Sequence, residues 1–141
     1  MTDEMRRKEV NEAIRAGEQA LGSLRTAEEN LASARKWGIA DMLGGGLIVN
    51  VMKHSRLDDA SYYLETAKKD LERFQRELGD VPDYEGLRID IGNFLSFADF
   101  FFDGLIVDYM VQSRISEARD KIQEAIRKVE HLLTELRRCN R

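Results

Sequence analysis

The chain has 141 residues, with 22 Lys plus Arg against 26 Asp plus Glu, 43% hydrophobic residues, one proline and one cysteine. A chain of this length forms one domain that buries roughly two-thirds of its unfolded surface, so it needs neither disulfides nor a structural metal to hold a core. The net charge of -4 argues against a nucleic-acid surface, the solitary Cys139 excludes a disulfide framework or a cysteine zinc site, and no apolar run approaches the ~18 residues of a membrane span.

The opening stretch, MTDEMRRKEV, carries charge where a secretory signal needs an apolar segment, so the expectation is a cytoplasmic protein. Behind it Val10, Ala13, Gly17, Ala20, Leu24, Ala27, Leu31 and Ala34 alternate steps of three and four, which places them on one helical face. This predicts a first helix over 3–37. Gly38 is the expected left-handed stop, with Ile39 packing back on the last turn, and Asp41 is the expected N-cap of a second helix over 42–78.

The stripe of that second helix is Leu57, Ala60, Leu64, Ala67, Leu71, Phe74 and Leu78. Continued backwards it reaches Lys53, Asn50, Gly46 and Leu43, so an apolar face meets a polar layer in which Lys53 lies one turn from Asn50. His54 and Asp58 stand four apart and share a side, which makes them metal-ligand candidates; no cofactor is implied. Gly44-Gly45-Gly46 lacks the Lys-Ser/Thr pair and the preceding strand of a phosphate loop. Ser55 follows His54 directly and points away from it on a helix, so no nucleophile–base pair forms and no catalytic residue is expected.

Residues 79–83, containing the only proline, Pro82, read as a linker. A short third helix over 84–96 follows, with Leu87, Ile91 and Phe94 inward and Ala98 and Phe101 continuing the period. Asp99 is the expected cap of a fourth helix over 100–139, whose stripe is Ile115, Ala118, Ile122, Ala125, Val129, Leu132, Leu136 and Cys139. Continued backwards this stripe meets Asp108 and Gly104. Asp99 and Asp103 form a second pair four apart, again a metal-ligand candidate.

The two halves match at an offset of 58: of the 21 positions 40–60, ten are identical to 98–118, including Ala40/Ala98, Asp41/Asp99, Gly46/Gly104 and the Leu-Ile-Val that follows. The predicted fold is therefore all-α, an antiparallel four-helix assembly of two unequal αα-hairpin repeats, 3–79 and 84–139, with three long helices and one short. Gly46 and Gly104 mark helices 2 and 4 as the central pair, crossing closely, and bring Asn50 and Asp108 into one layer. A short third helix leaves part of one side open.

Five of the six Phe residues fall between positions 94 and 102, and three in succession spread around a helix, so they cannot all face one core. Trp37, Ile39 and Met42 are expected to wrap this end. Phe97, Phe100, Phe101 and Phe102 are the interface candidates. The leading functional reading is a non-enzymatic interaction or scaffold protein that forms a homodimer or accepts another helical protein in a hydrophobic groove. Its rival is a small-molecule or divalent-metal bundle using Asn50, Lys53, His54, Asp103 and Asp108. Peripheral membrane contact through the Phe-rich end is a third reading.

Overall fold

A computed structural model describes residues 2–44, 47–82, 87–106 and 115–140, with side chains described for 2–31, 62–82, 87–101, 104 and 117–140. Four helices account for the described chain: α1 (Asp3–Gly44), α2 (Leu47–Gly79), α3 (Leu87–Ile106) and α4 (Ile115–Cys139). The Thr2 hydroxyl accepts from the Met5 amide at 3.2 Å and so caps α1, whose first turn carries Asp3 and Glu4 toward the positive end of the helix dipole. At the far end of the first hairpin α2 closes at Gly79. There the Asp80 and Val81 amides donate to the carbonyls of Glu77 and Leu78, at 3.1 and 3.2 Å, and Pro82 follows where the helix cannot continue.

Side-chain pairs give the direction of each helix. Ser23 on α1 donates to Asp70 on α2, and Arg73 to Gln19, so α2 runs antiparallel to α1. Arg137 donates to Glu18 at 3.0 Å, Arg25 lies 3.7 Å from Glu130, and Asn140 donates to Asn11 at 2.6 Å, so α4 also runs antiparallel to α1. Phe74 of α2 meets Phe94 of α3, and Lys128 of α4 sits over Phe97 of α3. The helices thus close an up-down-up-down ring in the order α1, α2, α3, α4, and neighbours in sequence are neighbours in space.

The core runs along the axis of this ring. It contains Val10, Ala13, Ala20, Leu24, Ala27 and Leu31 from α1, and Leu64, Ala67, Leu71, Phe74 and Leu78 from α2. From α3 come Leu87, Ile91, Phe94, Ala98 and Phe101, and from α4 Ala118, Ile122, Ala125, Val129, Leu132 and Leu136. These are the stripes expected from the period of the sequence, and Cys139 packs against their end. Ala16, Ile126 and Leu133 are buried as well, and they widen the apolar face of the α1–α4 seam beyond a single stripe. Gly17 lies in that seam: a Cβ there would stand 2.7 Å from Leu133 Cδ2 and 2.9 Å from Phe74 Cε1. The glycine lets three helices approach more closely than any side chain would allow.

The bends differ from expectation. Gly38 does not end α1 and Asp41 does not cap α2: both lie inside a helix that runs on to Gly44. A helical glycine costs only about 1 kcal/mol, and Trp37, Ile39, Ala40, Met42 and Leu43 include nothing that breaks the hydrogen-bond ladder. The described helix stops only where three glycines follow one another. Asp99 likewise does not cap α4. It lies in the interior of α3, because Ala98 and Phe101 continue the buried period of Leu87, Ile91 and Phe94 without interruption. The third helix is consequently 20 residues, about 30 Å, rather than the shorter element expected, and α4 has 25 residues rather than forty.

Gly104 belongs to α3 and not to α4, and a Cβ on it would meet the end of the Lys121 side chain at 2.6 Å. It therefore marks no crossing of α2 with α4, which stand on opposite corners of the ring with α1 and α3 between them. The offset of 58 holds in burial from Leu64/Ile122 to Leu78/Leu136, whereas the shared Gly-Leu-Ile segment closes α3 in the second half and its Leu47-Ile48 opens α2 in the first. Gly46 lies outside the described residues.

Candidate functional site

The second hairpin carries the surface that stands out chemically. α3 has four charged side chains in 20 residues, Arg88, Asp90, Asp99 and Asp103, where α4 has eleven in 25. Its inner face is spent on the core. Phe94 packs on Phe74 with ring centroids 5.3 Å apart, and from Phe94 a line of rings runs along α3 through Phe97 at 6.4 Å to Phe101 at a further 5.5 Å. Spacings of three and four set this line on the side of α3 that faces α4, where Lys128 Nζ lies 4.9 Å from the centroid of the Phe97 ring.

Between α3 and α4 this line floors two open grooves that meet at Glu124. One, of about 310 Å³, is lined by Phe97, Phe100, Phe101, Lys121 and Glu124. The other, of about 500 Å³, lies nearer the start of α3, with Phe94 and Leu132 below and Asp90, Asn93, Arg127, Lys128 and His131 on its sides. An aromatic floor with walls of mixed charge suits an amphipathic protein segment better than a compact anion or cation, which would need one sign of charge converging on a point. No nucleophile faces a base across either groove among the described residues.

The outer face of α3 continues the apolar surface onto solvent. Ile89 is 71% exposed and Phe100 78%, and Gly92, Asn93 and Ser96 lie between them at helical spacing, all exposed. Burying an apolar side chain of this size is worth about 1.5–3 kcal/mol, so two of them left in water on the least charged helix are an unused driving force.

The interface candidates therefore divide. Phe101 is buried and Phe97 partly buried, both serving the ring line, while Phe100 faces out. Phe102 is helical in α3 and its side chain lies outside the described residues. Trp37, Ile39 and Met42, expected to wrap the Phe cluster, also lie outside the described side chains.

The proposed polar layer is not reached by the description. Asn50, Lys53, His54 and Asp58 lie on α2 with side chains outside the described residues, Asp103 is similarly placed on α3, and Asp108 falls in 107–114, outside them altogether. Asp99 is exposed on α3.

At the opposite end of the ring the structure gathers three carboxylates that sequence reading passed over. Single oxygens of Glu9, Glu12 and Glu77 lie within 4.8 Å of one another. Glu9 and Glu12 are one helical turn apart, and Glu77 arrives because Val10 and Leu78 lie at the same end of the core. Partial burial first, then the charges of Glu12, Asp80 and Glu77, hold the Glu9 carboxyl above the usual carboxylate value, against the opposing pull of Lys8. Burial also pushes the Cys139 thiol up, which keeps it protonated and a poor nucleophile.

No helix is long and apolar enough to cross a membrane among the described residues. No protein-family model matches the chain, and neither a curated protein nor a solved structure matches it.

Proposed function

We propose that this chain is a non-catalytic interaction module whose contact surface is the outer face of α3 together with the α3–α4 groove beside it. The observation that carries the reading is the placement of Phe100: 78% exposed at the lip of an open groove floored by Phe97 and Phe101, on the helix with the fewest charges. A side chain of that size is favoured at interface centres, where a ring fills a pocket on the partner and the surrounding polar groups form the rim. Here the rim is Lys121 and Glu124.

The experiment compares the wild-type protein with Phe100→Asp, a change at an exposed position that leaves the fold intact by circular dichroism. Wild-type protein should bind an environment-sensitive hydrophobic dye or self-associate, and Phe100→Asp should remove most of that signal. Wild-type protein that does neither, or an equal signal from the variant, overturns the reading.

A further inference from the structure

We infer that the occupant of the α3 face is a second copy of this chain, with the two α3 helices packed antiparallel about a two-fold axis near Asn93 and Ser96. This rests on the reading that α3's outer face is a contact surface and adds what covers it.

The face is self-complementary when turned end for end. Among the described side chains of α3 the exposed large apolar ones are Ile89, near the start, and Phe100, eleven residues later, with Gly92, Asn93 and Ser96 between. Turned end for end on itself, the face sets Ile89 of one copy against Phe100 of the other, twice, and Asn93 against Ser96, twice. A parallel arrangement instead stacks like on like and leaves the smaller Ile89 facing itself at one end.

Charge selects the same orientation. Arg88 and Asp99 are also eleven residues apart, so they share one flank of α3 at opposite ends. A two-fold axis that reverses α3 keeps each flank on its own side. The guanidinium of one copy then arrives level with the carboxylate of the other, two ion pairs per dimer. In the parallel orientation the two copies of this flank fall on opposite sides of the contact, and neither ion pair forms.

Gly92 supplies the third observation. It lies within α3, where glycine costs about 1 kcal/mol relative to alanine, and a Cβ built on it would meet nothing within 4 Å. Among the described residues nothing asks for a glycine at this place. A neighbouring helix crossing near it does, because small residues at the crossing let two backbones approach and the end-placed Ile89 and Phe100 close over the contact. An isologous contact of this kind closes at two subunits.

The test uses the full chain with Cys139→Ala, which removes the sole native thiol. Sedimentation should give a concentration-dependent dimer, and Phe100→Asp should raise its dissociation constant at least about thirtyfold. Arg88→Asp and Asp99→Arg should each raise it roughly two- to tenfold, and the double variant should recover most of the loss.

Orientation is read by cross-linking. Ser96→Cys lies within about 5 Å of its own copy along the helix axis and should give a disulfide dimer on mild oxidation. Ile89→Cys lies about 16 Å from its copy and should not. A dimer that cross-links through Ile89→Cys and not through Ser96→Cys overturns the inference and leaves the α3 surface standing. So does a monomer that binds dye in a Phe100-dependent way, or a monomer that floats with phosphatidylcholine vesicles. A dimer indifferent to Phe100→Asp overturns both.

Discussion

α1 and α3 occupy opposite corners of the ring and meet its core in opposite ways. The inner face of α1 is built mainly of small residues, Ala13, Ala16, Gly17, Ala20 and Ala27, so its backbone lies close to α2 and α4 and its position is set by how near the helices can come. The inner face of α3 is Leu87, Ile91, Phe94, Ala98 and Phe101, so it stands off and is held by the volume of its side chains. A helix placed by closeness resists enlargement, and a helix placed by volume resists truncation. The outer faces follow the same division. α1 turns charged side chains to water, pairing Glu18 and Arg25 with α4 and the uncharged Gln19 with Arg73 of α2, whereas α3 turns out Ile89 and Phe100.

The largest expected effect tests the volume side. Phe94→Ala should destabilise the protein by about 3–5 kcal/mol in urea unfolding, since it opens a cavity between Phe74 and Phe97. Phe100→Ala, six residues along the same helix, should stay within about 0.5 kcal/mol when measured on the monomer. A loss below about 1 kcal/mol for Phe94→Ala would break the comparison, because α3 would then not depend on its rings.

Next comes the closeness side, on two glycines of α1. Gly17→Ala forces a methyl against Leu133 and Phe74, an overpacking cost of about 1–3 kcal/mol that exceeds the gain of about 1 kcal/mol in helix propensity. Gly22→Ala meets nothing within 4 Å and should stabilise by about 0.5–1 kcal/mol. Opposite signs five residues apart are the expected result; equal signs would mean that the seam is looser than its distances state.

These same elements show how legible the fold was in the sequence. Every described member of the four apolar stripes is buried as its spacing demanded except Cys139, which is partly buried at the end of α4, because a core position repeats the same physical requirement every three or four residues and so averages over local exceptions. The bends were misread for the converse reason. Gly38, Asp41 and Asp99 each carry one local preference of about 1 kcal/mol, and a helix whose next turns still pack overrides it. Gly17 was placed on the inner face, but its necessity comes from Leu133 and Phe74, residues far away in the chain that no local pattern links to it. The candidate surface was half legible. The crowding of five Phe was visible, but which rings turn inward depended on α3 running through Asp99, and the end-to-end matching of Ile89 with Phe100 emerges only once both lie on one uninterrupted helix.

Smaller effects refine the outer faces. Arg137→Ala removes an exposed pair with Glu18 and should cost no more than about 1 kcal/mol, and less at high salt, since side chains about half exposed are well screened. The smallest effect concerns pH. Because the Glu9 carboxyl is held above its ordinary value, the folded state binds its proton more readily than the unfolded chain does. Its ionisation therefore works against folding as pH rises through that raised value, and protonation relieves the strain as pH falls. Glu9→Gln should raise the melting temperature slightly at neutral pH and leave it unchanged near pH 4, with the two melting curves converging on acidification.

The order in which the helices meet has a kinetic consequence. Contacts of α1 with α2, α2 with α3 and α3 with α4 join successive elements, while the seam of α1 with α4 joins residues 119 apart at Glu18 and Arg137 and 129 apart at Asn11 and Asn140. Most of the entropy of ring closure therefore falls on this last joint, and it is the one that a transient opening would release without unzipping either hairpin. Amide hydrogen exchange under native conditions should register such an opening as a shared protection limit for the buried positions of α4 around Ile126 and Leu133, below that of the α1–α2 pair. Gly17, the position that draws three helices together, would then govern how often the molecule breathes.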